Sequence, residues 1–373
     1  MKKIIGLVAT GLLIASVANA KEVKIGVVMP MSGPAGGFGQ YAEKGISFAH
    51  ELTPKLKNGD TIKIILLDNK SEKIESANAA SNLVSSHKVT AMIGAMTSTN
   101  TMALTKIAED AKVAVVAPAA TNPLVTKRRK YTSRVCFNDN FQGTVAANFA
   151  YKDLGIKEAV VIVDVKNDYS IGISKVFRRT YKKLGGKIVK IAKINQGDTD
   201  FKAMLSNIKA INPKLIFMPF YSAEVALIAK QAKQLGIKSK FLGTDGMMAS
   251  KIFFEVGKGS IEGFYATNLF SADAAKTTEA SKEFDLKFKA KYGHVAHPFA
   301  FLGAEAYNII VNAMNKCKDS SDSVCVNKNI RATKDFKGVS GIISLNEKGD
   351  AVRSAVIETI KNGKAVYLKT VNP

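Results

Sequence analysis

Short β-branched runs alternate with longer amphipathic runs along most of the chain, a pattern that predicts βα units around parallel sheets. Val23–Met29, Lys63–Leu67, Thr90–Ile93 and Val113–Ala117 read as strands. Between them, apolar residues recur at helical spacing over Tyr41–Glu51, Ile74–Ser85 and Thr99–Ala111. After an extended stretch at Tyr131–Phe137 the alternation begins again. Its strands are Ala159–Val165, Ile188–Ile194, Leu215–Met218 and Phe241–Gly243, and its helices Ile171–Leu184, Phe201–Ile211 and Ala223–Leu235. Gly155, Gly185-Gly186 and Gly236 fall where helices should stop. Two rounds of one architecture, in a chain long enough for two cores, predict an α/β protein of two doubly wound lobes. The tail departs from the pattern. Helical runs at Ala280–Tyr292 and Phe299–Lys316 precede strand-like pieces at Gly341–Leu345, Ala355–Ile360 and Ala365–Leu368, which can return to either lobe.

The first twenty residues read as an export signal. Lys2 and Lys3 precede an apolar run, Ile4 to Val17, and Ala18-Asn19-Ala20 is a small-x-small cleavage pattern that leaves Lys21 first. No cysteine follows the cleavage point, so no lipid anchor is expected, and the mature protein should be a soluble periplasmic one. The net charge of +23, or +21 without Lys2 and Lys3, raises nucleic acid and anionic membranes as partners. The lysines are spread along the whole sequence, however. The densest clusters, Lys127-Arg128-Arg129-Lys130 and Arg178-Arg179 near Lys182-Lys183, carry no nucleic-acid motif. A solvated basic surface is the expectation, with no nucleic-acid partner. Of three cysteines, Cys317 and Cys325 flank a polar, turn-prone segment and form the natural disulfide in an oxidising compartment. Cys136, between Val135 and Phe137, reads as a buried free thiol.

Catalytic chemistry has no obvious seat. Gly37-Phe38-Gly39-Gln40-Tyr41-Ala42 outlines G-x-G-x-x-A, but Pro30 to Gly36 separate it from the strand, where a dinucleotide site needs the first glycine at once. We read it as a flexible loop rimming a cleft, with no cofactor. His294 and His297 stand three apart without a third ligand, as structural or surface residues, and no metal is expected. The informative residues lie at carboxyl ends of strands, where open α/β sheets bind ligands. Thr90–Ile93 runs into Met96, Thr97, Ser98 and Thr99 at a helix start, which suits a carboxylate or an ordinary N-cap by Ser98 or Thr99. Val113–Ala117 delivers Ala119, Ala120 and Thr121; the second round delivers Asp168-Tyr169, Phe220-Tyr221 and Thr244-Asp245-Gly246. Anion donors in one lobe thus face two tyrosines and a carboxylate in the other, which complements a zwitterion.

Met31-Ser32-Gly33-Pro34, Pro118-Ala119-Ala120-Thr121 and Gly243-Thr244-Asp245-Gly246 resemble the leucine/isoleucine/valine-binding proteins of bacterial amino-acid importers, over essentially the whole mature chain. The resemblance implies a type I periplasmic-binding-protein fold, two lobes joined by three crossovers. Residues 21–138 with 269–347 would form one lobe, and 139–268 with 348–373 the other. It also implies that Ser98 and Thr121 hold an α-carboxylate, that the Ala119 carbonyl and Asp245 take the ammonium, and that Tyr169 and Tyr221 close over. Phe38, Met96 and Tyr221 would face the side chain. The sequence departs from the family where Asp245 replaces a common Glu, Phe38 a common Tyr, and Thr97 one cysteine of an N-lobe disulfide. The implied protein is a monomeric, non-enzymatic substrate-binding subunit that delivers a branched-chain or other aliphatic amino acid to a membrane permease. A periplasmic sensor, or the same fold holding an amide or urea derivative, is the alternative.

Overall fold

The computed structural model describes residues 20–269 and 278–373. The expected export signal therefore falls almost wholly outside the described residues. Among them, no helix is long and apolar enough to cross a membrane.

Two sheets organise the chain. The first is five-stranded and parallel, in the order β2-β1-β3-β4-β5, from β1 (Glu22–Met29), β2 (Thr61–Asp68), β3 (Ala91–Gly94), β4 (Ala114–Ala117) and β5 (Thr132–Arg134). The second has seven strands, β14-β13-β10-β9-β8-β6-β7. Its parallel part is β6 (Glu158–Asp164), β7 (Lys187–Ile194), β8 (Leu215–Met218), β9 (Lys240–Gly243) and β10 (Tyr265–Asn268). After a separate two-stranded ribbon of β11 (Phe336–Gly338) and β12 (Gly341–Ile343), the tail strands β13 (Ala355–Lys361) and β14 (Lys364–Val371) complete it antiparallel. Central strands are apolar throughout because helices cover both faces of a parallel sheet; β3, β4 and β8 are buried at every position.

Helices α1 (Gly36–Leu52), α2 (Lys73–Ser85) and α3 (Ser98–Asp110) cover the first sheet. Helices α4 (Asp139–Asn148), α5 (Asp168–Lys183), α6 (Lys202–Ile211), α7 (Ser222–Gln234) and α8 (Ile252–Gly257) follow in the second round. After residue 278, α9 (Glu279–Tyr292), α10 (Pro298–Met314) and α11 (Ser323–Arg331) return to the first sheet's side, with α10 packed along α1. The chain thus passes between the sheets at residues 135–138 and 344–354, and from Thr278 it lies again on the first sheet's side. Two glycines let α1 and α10 touch backbone to backbone. A Cβ on Gly45 would lie 1.9 Å from the Ala300 carbonyl oxygen, and one on Gly303 would lie 2.3 Å from that of Ala42.

Three features differ from the sequence expectation. Gly37 to Ala42 are not a loop: α1 begins at Gly36, and Gly39 packs so close to Pro30 that a Cβ would sit 2.1 Å from its carbonyl oxygen. Those glycines serve helix-to-strand contact. Helices α4, α8 and α11 and strand β10 were not anticipated, because they are short and lack a clear period. At α3 the residue in the cap position is Thr97, without a side-chain cap bond, so neither Ser98 nor Thr99 acts as N-cap.

Cys317 and Cys325 are joined, their Cα atoms 6.0 Å apart, which is ordinary disulfide spacing. Cys136 is a buried free thiol whose pKa burial pushes up to about 12.

Candidate functional site

Both sheets present the carboxyl ends of their strands to one cleft, and the loops leaving them build it. Beyond β3 the chain turns through Met96 in the left-handed conformation (φ 70°) and enters α3 at Ser98. The loop after β4 brings Ala119 and Thr121 alongside, tied to α3 because the Asn122 amide donates to the Ser98 hydroxyl at 3.1 Å. From the other sheet come Tyr169 at the start of α5, Tyr221 just before α7, and Asp245 in the turn after β9.

All eight residues singled out from the sequence line a single small cavity: Phe38, Met96, Ser98, Ala119, Thr121, Tyr169, Tyr221 and Asp245. Thr97, Gly246 and Phe299 complete it. One end is aromatic. Phe38 meets Tyr221 edge-on at 5.3 Å and Phe299 at 5.7 Å, and Tyr221 stacks on Tyr169 at 5.6 Å. Phe299 carries no signal of this role in the sequence, where it reads simply as the start of a helix. His297, which precedes it, accepts from the Phe299 amide at 3.1 Å and stacks on Tyr41, and burial lowers its pKa to about 3. It is a neutral structural histidine, while His294 is exposed.

The other end is acidic and buried. The Tyr169 hydroxyl donates to Asp245 Oδ1 at 2.7 Å and is hydrogen-bonded to the Thr244 hydroxyl. Burial raises the Asp245 pKa to about 6, although hydrogen bonds from Tyr169 and Gln142 favour its charged form. A second carboxylate, Asp139, was missed. It opens α4, is fully buried, and its amide donates to the Thr121 carbonyl at 2.9 Å. Burial first, and then the charge of Asp245, push its pKa well above the ordinary carboxylate range. The Thr121 hydroxyl and Arg134 act the other way, but neither Asp139 oxygen receives a hydrogen bond of good geometry. Arg134 is already committed to Asp350, Nε to Oδ1 at 2.7 Å, and to the carbonyls of Ala120 and Asn122. The signal for Asp139 was Asn138, whose side chain caps α4.

The two sides are bridged beside the cavity. Asn122 Nδ2 donates to the Asp168 carbonyl at 2.7 Å, and the Asp168 amide donates to the Thr99 hydroxyl at 3.2 Å. Among the described residues no cluster of potential metal ligands occurs.

Two α/β lobes closed over one small polar cavity define a solute-binding clamp. Residues 22–365 match the model of the periplasmic binding protein family, and the chain belongs to that family. The solved structure of a leucine binding protein from Thermotoga maritima is 40% identical, with a TM-score of 0.91 over 94% of this chain and 99% of that one. A branched-chain amino acid transporter substrate binding protein of Streptococcus pneumoniae, in complex with isoleucine, is 32% identical, with a TM-score of 0.87 over 94% and 100% of the two chains. A leucine-, isoleucine-, valine-, threonine- and alanine-binding protein of Pseudomonas aeruginosa is 29% identical over 337 residues, 89% of this chain and 87% of that one.

Proposed function

We propose that this protein is the periplasmic substrate-binding subunit of an ATP-driven importer and captures an aliphatic amino acid, branched-chain ones foremost. The observation that carries this reading is the proximity of two buried carboxylates, Asp139 and Asp245, whose nearest cation, Arg134, is already bonded to Asp350. An ammonium seated between them removes a desolvation penalty that the unliganded protein bears. The Ser98 and Thr121 hydroxyls, with free amides at the start of α3, suit the carboxylate of the same solute. Phe38, Met96, Tyr221 and Phe299 leave the side chain an apolar wall without charge, and relatives named for leucine, isoleucine and valine support that preference.

The lobes follow residues 21–138 with 269–347 and 139–268 with 348–373. Closure over the solute, and docking of the closed form on a permease, constitute the working cycle, with the monomer as the acting unit. No catalytic role is assigned to any residue.

A thermal-shift and calorimetric screen of the twenty amino acids tests this. Leucine, isoleucine or valine at a hundred times its dissociation constant should stabilise the protein by about 2.7 kcal/mol. Tightest binding of an acidic or basic amino acid, or of none, would refute the reading.

A further inference from the structure

Lysine supplies nearly all of the positive charge, and only seven of the 54 basic residues are arginines. General solubility needs no particular cation, whereas a flat guanidinium suits an oxyanion gripped in bidentate geometry. Three of those seven, Arg128, Arg129 and Arg331, line one concave cleft of ≈ 750 Å³, together with Lys127, Lys130 and Lys348. Its walls come from segments far apart in sequence: the loop 123–130 beyond β4, the start of α4, the end of α11 and the turn 347–350. None of the six cations belongs to an ion pair among the described residues.

The acids nearby offset them only in part: Asp350 and Glu109 act on Arg331, but without a direct ion pair. Both oxygens of Asp350 are engaged, by Arg134 and Thr126 on one and Asn138 on the other, which leaves Glu347 as the free acid of the lining. Glu109 accepts from the amides of Lys130 and Tyr131. The Arg129 Nε is buried with no hydrogen-bond partner, a donor that an incoming oxyanion would satisfy. Arg331 is held in place by the Thr132 carbonyl at 3.2 Å and by the Glu347 carbonyl. The amino-acid cavity lies on the far side of Arg134, which bonds the 120–122 loop with one nitrogen and Asp350 with another.

We infer that this cleft is a second, separate binding site, for a small, multiply charged phosphate-class anion taken from solution. Its concavity favours a free molecule over membrane headgroups, which a flat or convex basic face would meet better.

Calorimetry of the mature chain with inorganic pyrophosphate, at constant ionic strength, tests the site. One saturable equivalent should bind, and Arg128→Gln combined with Lys348→Gln should weaken it by about tenfold or more. Both side chains are exposed, so the fold should survive. Arg178→Gln with Arg179→Gln, on the distant cluster of α5, should leave pyrophosphate binding unchanged, and so should saturation of the protein with its amino acid. Absence of saturable binding at millimolar pyrophosphate overturns the inference. An equal loss in the two double variants overturns it as well, since net charge would then be the cause. So does binding to phosphatidylglycerol vesicles that requires Arg128 and Lys348 while free pyrophosphate is ignored, because the site would then be a membrane contact.

Discussion

At the residue scale the chemistry rests on Asp245, which lines the cavity, and on Asp139, buried near enough to feel its charge. Asp245→Asn keeps the shape and removes a charge that the ligand ammonium needs. Breaking one member of such a buried pair costs about 3–5 kcal/mol, so affinity should fall roughly a hundredfold to a few thousandfold in calorimetry. A loss below about tenfold in a folded variant would place the ammonium elsewhere. The pH dependence follows with a definite sign. Asp245 titrates near about 6 in the unliganded protein, against 3.8 for an ordinary aspartate, and the ammonium favours its charged form. Affinity is therefore complete above about pH 6 and declines as pH falls through it, by up to tenfold per unit if one proton is taken up. The unliganded fold shows the reverse. Its folded-state pKa is raised, so it gains stability as pH drops from about 6 towards 4. Titrations between pH 5 and 8 that give a flat affinity would contradict this. Asp245 was visible in the sequence because it ends a clear strand. Asp139 was not, because the helix it opens is short, holds Gly143 in its middle and carries little periodic pattern.

At the element scale, α1 and α10 carry the aromatic wall on their first turns, Phe38 on one and Phe299 on the other. Their crossing has no side chain at Gly45 or Gly303, and that close approach sets the two rings 5.7 Å apart. Gly45→Val must push the helices apart. Overpacking of this kind costs about 1–3 kcal/mol, and each kcal/mol should lower the melting temperature by roughly 2–4 °C. The same shift opens the wall, so leucine affinity should weaken along with stability. Unchanged melting and binding would mean that the helices can separate freely. Sequence reading found both helices from their apolar period, yet it took the Gly37–Gly39 stretch for a loop. A glycine pair reads as flexibility until the surface opposite it is known.

At the scale of the whole molecule, the lobes meet through Asn122, Thr99 and Asp168 on one side of the cavity and through Phe38 and Tyr221 on another. Gly172 on α5 faces Asn122, where a Cβ would lie 2.7 Å from Nδ2. Gly172→Leu should thus obstruct closure alone. Leucine favours a helix over glycine, so thermal stability without ligand should hold or rise. Ligand affinity should nevertheless drop by about tenfold or more, the equivalent of 1.4 kcal/mol of overpacking. Small-angle scattering supplies the independent readout. Saturating leucine should shrink the radius of gyration of the unsubstituted protein and shrink that of Gly172→Leu less. Equal compaction in both, at equal affinity, would show that α5 does not meet Asn122 in the bound form.

What the sequence by itself determined is what repeats locally. Strand and helix order follow from hydrophobic period, and the site residues of the loops after β3, β4, β6, β8 and β9 follow from the rule that parallel sheets offer ligands their carboxyl ends. The pairing of Cys317 with Cys325 was likewise local, eight residues apart around a polar turn. Tertiary structure alone decided the relations between distant segments. It returned the tail strands to the second sheet, set Arg134 against Asp350 across two passages, brought Asp139 beside Asp245, and gathered Arg128, Arg129 and Arg331 into one cleft. Such contacts join residues scores to hundreds of positions apart, and no local period or propensity encodes which of them meet.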